Sequence, residues 1–199
     1  MLVMATNPVD LLAQIAQETL GLPPGQVIGT GTLVDTARLR ARLAEEFGID
    51  PRGIDAFIIG EHGDSEIAVW SGVRIGGVSL AKFPGARPMP EYVAVLQQVR
   101  EAAPEVVRLK GHTAYAIGLC VQRICEAVMR NEHAVLAVSA RLQGEYGIDD
   151  LYLGTPCVVG KNGIERIIEL DLDDGERTGL QASATILRDM LKSSPEAAA

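Results

Sequence analysis

With 199 residues, 47% of them hydrophobic and 22% charged, the chain is long and apolar enough to bury a core and is not a disordered polypeptide. A formal net charge of −8 without any basic run excludes a nucleic-acid-binding surface, which sets clustered Lys and Arg against phosphate. Cys120, Cys125 and Cys157 lack metal-like CxxC spacing and no apolar run approaches the ~20 residues that span a bilayer, so a reduced, cytoplasmic protein without metal or membrane is expected.

The opening MLVMATNPVD lacks the basic flank and long apolar stretch of a signal peptide. Leu2 to Ala5 is a short apolar run ending at Asn7-Pro8, the pattern of a buried strand entering a turn. A buried strand needs neighbours on both sides, so a chain that opens inside one is expected to be part of something longer. Val9 to Leu20 follows with helical spacing of Leu11, Leu12, Ile15 and Leu20, stopped by Gly21 and Pro23-Pro24. Thr32 to Phe47 predicts a strong helix, rich in good formers, with Gly48 just beyond it. Asp55 to Ile59 and Ile67 to Trp70 predict strands, and Gly72, Gly76 and Gly77 punctuate a hairpin after them. Pro84 to Pro90 is a loop; Tyr92 to Val107 and Lys110 to Met129 are helical, either separate or joined in one long bent element. Val135 to Val138, Pro156 to Val159 and Ile164 to Ile168 have strand composition, and Lys161-Asn162-Gly163 is a tight hairpin signal. Asp173 to Leu191 closes the chain as an amphipathic helix before a frayed SSPEAAA tail. Helices mixed with antiparallel hairpins make the fold class α+β.

His62 differs from the other histidines in its setting, the glycine-bracketed loop Gly60-Glu61-His62-Gly63-Asp64 between two predicted strands. Glycine there lets backbone or a ligand come close. Taken singly, a loop histidine is more often a solvated or capping residue, and His112, on a helix face, and His133, in a helix-end loop, keep that plain meaning. Asp35 and Arg38 lie three apart on the Thr32 to Phe47 helix, side by side on one face. Alone, such a pair is an exposed ion pair contributing on the order of a few tenths of a kcal/mol. Beside a histidine the two residues divide into a carboxylate that orients an imidazole and a guanidinium that grips a substrate carboxylate bidentately. The negative chain charge does not oppose a small anionic substrate, which responds to the local field of its pocket.

TNPVD, VIGTGTLVDTARLR, IIGEHGDSE and LKGHTAYAIG occur in the order and approximate spacing of the lactate/malate dehydrogenase family, and LGTPCVVGKNGIERIIEL resembles that family's closing hairpin. The resemblance runs from Leu2 to about Leu191 and is nearer to the lactate than to the dimeric malate enzymes, chiefly through GEHGDSE and KGHTAYAIG. It implies a catalytic domain over residues 30–199, preceded in residues 1–29 by the last strand and helix of a Rossmann-type dinucleotide-binding domain. It implies NAD as cofactor, a homo-oligomeric enzyme, and interconversion of a small 2-hydroxy acid and 2-keto acid, L-lactate and pyruvate foremost. In that family role His62 is the proton donor and acceptor, Asp35 fixes its tautomer, and Arg38 binds the substrate carboxylate. Asn7 bonds near the nicotinamide and the substrate oxygen, Thr113 lines the substrate pocket, and Thr30 and Ile117 pack around the nicotinamide ring.

The chain also departs from the family pattern. Gly29-Thr30-Gly31 lacks the third glycine of a GxGxxG turn and opens no βαβ unit. About one domain, ~130 residues, is expected to be missing. With it goes the mobile loop that in the family supplies a second arginine and selects lactate over malate. The chain alone is therefore expected to be nearly inactive, since positioning of the hydride is worth many kcal/mol. A lactate-like malate dehydrogenase and a non-catalytic remnant acting in assembly are the competing expectations. Some bacterial lactate dehydrogenases resemble one another in binding a sugar bisphosphate through an arginine and a histidine. Arg40 fits the first position, but Asp55 occupies the second and would repel phosphate, which leaves Arg40 as a solvated helix residue.

Overall fold

A computed structural model describes residues 1–193; from position 194 on, the SSPEAAA tail lies outside the described residues. The chain opens with strand β1 (Leu2–Met4), helix α1 (Val9–Leu20), strand β2 (Val27–Gly29) and helix α2 (Leu33–Phe47). Five short strands follow: β3 (Ile54–Asp55), β4 (Ile58–Ile59), β5 (Ile67–Ala68), β6 (Arg74–Ile75) and β7 (Val78–Ser79). Helices α3 (Val93–Lys110) and α4 (Tyr115–Met129) lead to strands β8 (Ala134–Gln143), β9 (Asp149–Gly160) and β10 (Gly163–Ile167), and helix α5 (Asp174–Ser193) closes the chain.

The main sheet has the order β1-β2-β8-β9-β10. Its first pair is parallel, and β2 then meets β8 antiparallel at the single pair Gly29–Ser139. β8, β9 and β10 form an antiparallel meander. Residues 151–160 of β9 are buried without alternation because both faces of the sheet are covered. On one side Leu151 and Leu153 pack with Leu180, Ala184 and Leu187 of α5, while Cys157 and Val159 pack with Ile124 and Ala127 of α4. On the other, Tyr152 packs with Ala13 of α1 and Val27. A separate core joins α2 and α3 to the small strands through Leu39, Leu43, Ile54, Ile58, Ile75, Val95 and Val99. Among the described residues no helix is long and apolar enough to cross a membrane.

Several elements differ from the sequence expectation. Val135 to Val138 and Pro156 to Val159 are only parts of strands ten and twelve residues long. Ser139 and Thr155 interrupt the apolar pattern, yet both are buried inside these strands. β2 was not predicted; three residues give no periodicity to read. Asp55 to Ile59 is split between β3 and β4, which belong to different sheets, and Ile67 to Trp70 shortens to β5 before a turn of 3-10 helix. The region from Tyr92 to Met129 is two helices rather than one bent rod. Gly111 ends α3 in the left-handed region at φ 84°, its N–H donating to Val107 O. His112 consequently lies in the link between the helices and not on a helix face. α1 has the predicted bounds, but Leu11, Leu12 and Ile15 are only partly covered and Leu20 is exposed. Its buried face is Val9, Asp10, Ala13, Gln14 and Gln17. Gln14 meets the main chain of Tyr152 and Asp150, and Gln17 donates to Leu22 O, so these buried amides are satisfied.

Gly31 sets the approach of α2 to the sheet. At φ +50° a Cβ here would lie 2.3 Å from Ser139 N and 2.7 Å from Val138 C. We expect Gly31→Ala to cost about 2–4 kcal/mol, against about 1 kcal/mol for Gly48→Ala, whose positive φ borders open space. Urea midpoints measure both; equal losses would show that the close approach is absent.

Candidate active site

The site is assembled by a loop that four elements tie down. Thr32, just before α2, and Thr36 in its first turn clamp β4: Thr32 Oγ1 donates to Ile58 O at 2.6 Å, and Ile58 N–H donates to Thr36 Oγ1 at 3.0 Å. Those bonds fix α2, and so Asp35, against the strand that enters the histidine loop. Gly60 and Gly154 of β9 exchange two backbone hydrogen bonds of 2.9 Å each. Glu61 N–H donates to Ser183 Oγ of α5 at 2.8 Å, and Ser65 lies 3.0 Å from the same hydroxyl. His62 N–H donates to Asp10 Oδ2 of α1 at 2.9 Å. The loop is therefore a rigid support in spite of its glycines.

On this support His62 Nδ1 lies 2.7 Å from Asp35 Oδ2, and Arg38 donates to Asp35 Oδ1 at 3.1 Å. Asp35 is 3% exposed, so its carboxylate is compensated by these two donors and not by water. An ionised Asp35 can only accept, which makes Nδ1 the donor and Nε2 the nitrogen whose proton can come and go. Burial works against a charged imidazole, but the hydrogen bond and charge of Asp35, helped by Asp10 and Glu66, overcome it and hold the His62 pKa above its ordinary value.

A cavity of about 460 Å³ opens in front of this pair. Asn7 after β1, Thr30 after β2, Arg38 of α2, His62, Thr113 in the α3–α4 link and Ile117 of α4 all line it. The residues to which the resemblance gives a site role are thus brought together, with Asp35 behind the imidazole instead of on the wall. Ala103 lines it too, outside every motif, as does Thr6, which opens TNPVD but was assigned no role. Two buried carboxyls beside the pair were missed as well. Burial pushes Asp10 up to about 6, against the Ser139 hydroxyl and the His62 N–H, which favour its anion. Burial, then the charge of Asp35, pushes Glu66 up to about 8. Asp10 ends the TNPVD motif and Glu66 ends IIGEHGDSE, each beside a short apolar run, but neither motif assigned them a role.

Asp35, His62 and Glu66 offer ligand atoms within 4.8 Å of one another, as a metal site would, but Nδ1 is already bonded to Asp35 and the Arg38 cation stands beside it. Elsewhere, Arg40 is not a solvated residue. Its Nε donates to Ala56 O at 3.0 Å, its guanidinium lies 5.0 Å from the Phe57 ring and it pairs with Asp55 at 3.7 Å. His133 pairs with Glu165 at 2.9 Å. All three cysteines are free; burial pushes the Cys120 thiol up to about 11 and that of Cys157 higher still.

An imidazole held by a buried carboxylate, with a guanidinium on the wall of a small cavity, is an arrangement that can exchange a proton beside a bound anion. The chain belongs to the lactate/malate dehydrogenase family: the profile of that family's alpha/beta C-terminal domain matches residues 32–197. It is 45% identical over 190 residues to the L-lactate dehydrogenase of Priestia megaterium, covering 94% of this chain and 60% of that protein. Identity to the L-lactate dehydrogenase of Salinibacter ruber is 48% over 191 residues, with 94% and 60% covered. The fold matches the crystal structure of the minor L-lactate dehydrogenase from Enterococcus mundtii with a TM-score of 0.93 at 38% identity, over 96% of this chain and 62% of that one. The chain spans about 60% of the length of the curated relatives it matches.

His62, Glu66 and Asp10 all bind protons more tightly folded than unfolded, since each pKa is raised on folding. Stability is then greatest below their unfolded values and falls as pH rises through about 6 and about 8. Urea unfolding at pH 5, 7 and 9 should show stability falling at each step. A gain in stability toward pH 9 would contradict the assignment.

Proposed function

We propose that the chain is the catalytic portion of an NAD-dependent L-lactate dehydrogenase, interconverting L-lactate and pyruvate in the cytoplasm as part of a homo-oligomer. The observation that carries this is the 2.7 Å contact of His62 Nδ1 with Asp35, with Arg38 on the same cavity wall. His62 takes the hydroxyl proton of the 2-hydroxy acid on Nε2 and returns it in the reverse direction. Asp35 holds the ring and stabilises the imidazolium. Arg38 orients the substrate carboxylate, and Thr113 closes the pocket around the substrate carbons.

The lining fits the reactive end of the cofactor. Asn7 offers an amide near the hydroxyl carbon, while Thr30 and Ile117 provide a small polar and an apolar surface for a flat ring. When bound, the nicotinamide supplies the hydride acceptor. Residues 1–29 are read as the end of its dinucleotide-binding domain, supported by the parallel β1–β2 pair and by the partly bare apolar side of α1. The apolar groove between α2 and α4, lined by Leu33, Ala37, Ala41 and Leu119, supports an assembled state. The names of the relatives favour lactate over malate.

No glycine-rich dinucleotide turn occurs in these 199 residues, so the chain alone should turn over very slowly. Adding a separately produced nucleotide-binding domain from a relative should restore NADH oxidation with pyruvate, faster than with oxaloacetate. In that mixture His62→Gln should lower turnover by roughly 10³-fold, and Arg38→Lys should weaken kcat/KM for pyruvate by roughly 10²-fold. Failure of the mixture to oxidise NADH with either acid, or indifference to both substitutions, would refute the assignment.

A further inference from the structure

Glu66 has no assigned contact with substrate or cofactor, although its charge bears on His62. It lies four residues beyond His62, is 2% exposed, and its Oε1 is buried without a hydrogen-bond partner. Packing does not account for it, because a buried carboxyl with an unpaired oxygen is costly where an apolar side chain would fit. Its place is fixed from α3, where Arg100 donates to the Glu66 carbonyl oxygen. Ligand atoms of Glu66, His62 and Asp35 lie within 4.8 Å of one another. We propose that Glu66 is a positioning residue for the proton on His62, so that the imidazole titrates as one member of a three-group cluster, Glu66–His62–Asp35, and not as a simple pair. The inference rests on the proposed acid/base role of His62 for its meaning, though not for its test.

The titratable and charged groups facing the cluster are Asp10 of α1, Asp35 and Arg38 of α2, Arg100 of α3, the Cys120 thiol of α4, and Glu61 within the loop. Burial pushes Glu66 up to about 8, so near neutrality it carries only a small part of its negative charge beside Asp35. Once ionised it attracts the imidazolium, because the two opposite charges sit within one buried pocket. His62 therefore holds its proton further into the alkaline range than Asp35 alone would arrange, and the two losses are linked.

Histidine NMR titration of the 199-residue chain reads this directly, with His112 and His133 as internal controls. In the unaltered chain His62 should titrate in a broad curve with a second inflection. In Glu66→Gln the second inflection should vanish and the midpoint fall, with proton affinity weakened roughly tenfold, while His112 and His133 stay unmoved. Superimposable His62 curves in the two chains would overturn the proposal. Should Glu66→Gln not fold, the carboxyl carbon of Glu66 is followed in the unaltered chain; a shared inflection with His62 well above pH 4.5 supports the linkage, and an independent step near 4.5 overturns it. Neither measurement requires turnover, so a chain without dehydrogenase activity and a chain without the linkage give different results.

Discussion

The short hydrogen bond between Asp35 and His62 joins two pieces of chain that are 27 residues apart, and much of the surrounding structure serves to keep it short. Asp35 rides on a helix whose next turns bury Leu39 and Leu43, so it cannot rotate away. His62 rides on a loop whose backbone is fixed in turn by α1, β9 and α5. The Thr32 and Thr36 hydroxyls, both spent on the main chain of Ile58, set the distance between the two supports. A carboxylate this deeply buried is tolerable only because the imidazole and Arg38 answer its charge. Stability and proton affinity are thus properties of one interaction.

Much of this was legible in the sequence, for local reasons. α2 declares itself through helix formers and Gly48, and the three-residue spacing of Asp35 and Arg38 on it translates directly into adjacency. The GEHGD loop was legible because glycines bracket it and apolar pairs flank it. What brought its histidine to that particular carboxylate was not local; it followed from resemblance to a family, and no spacing rule would have supplied it.

The misread parts have a common cause, which is polar residues placed inside. Ser139 and Thr155 hid the true lengths of β8 and β9, because a strand buried on both faces need not alternate. α1 hid its packing face, since Gln14 and Gln17 go inward to serve backbone groups while leucines remain partly bare. Asp10 and Glu66 stood inside the TNPVD and IIGEHGDSE motifs without a role, because their burial is supplied by tertiary structure and not by local sequence. Arg40 shows the converse error, a cation that looks free on a helix but is held by Ala56, Phe57 and Asp55.

The facing glycines at 60 and 154 carry a consequence for how such a site can diversify. A side chain on Gly154 would strike Gly60 O and Thr32 at 2.8 Å, and one on Gly60 would meet Ser183 Oγ at 2.9 Å. Neither position can drift without dislodging the loop: at 154 the obstacles are the Gly60 carbonyl and the Thr32 side chain that clamps β4, and at 60 they are the Ser183 hydroxyl that holds the loop and a backbone φ of +100°. Novelty is left to the wall of the cavity, where positions 6, 103 and 113 face the open space and not the glycine contact. Inherited geometry and adjustable selectivity are thereby kept on separate residues.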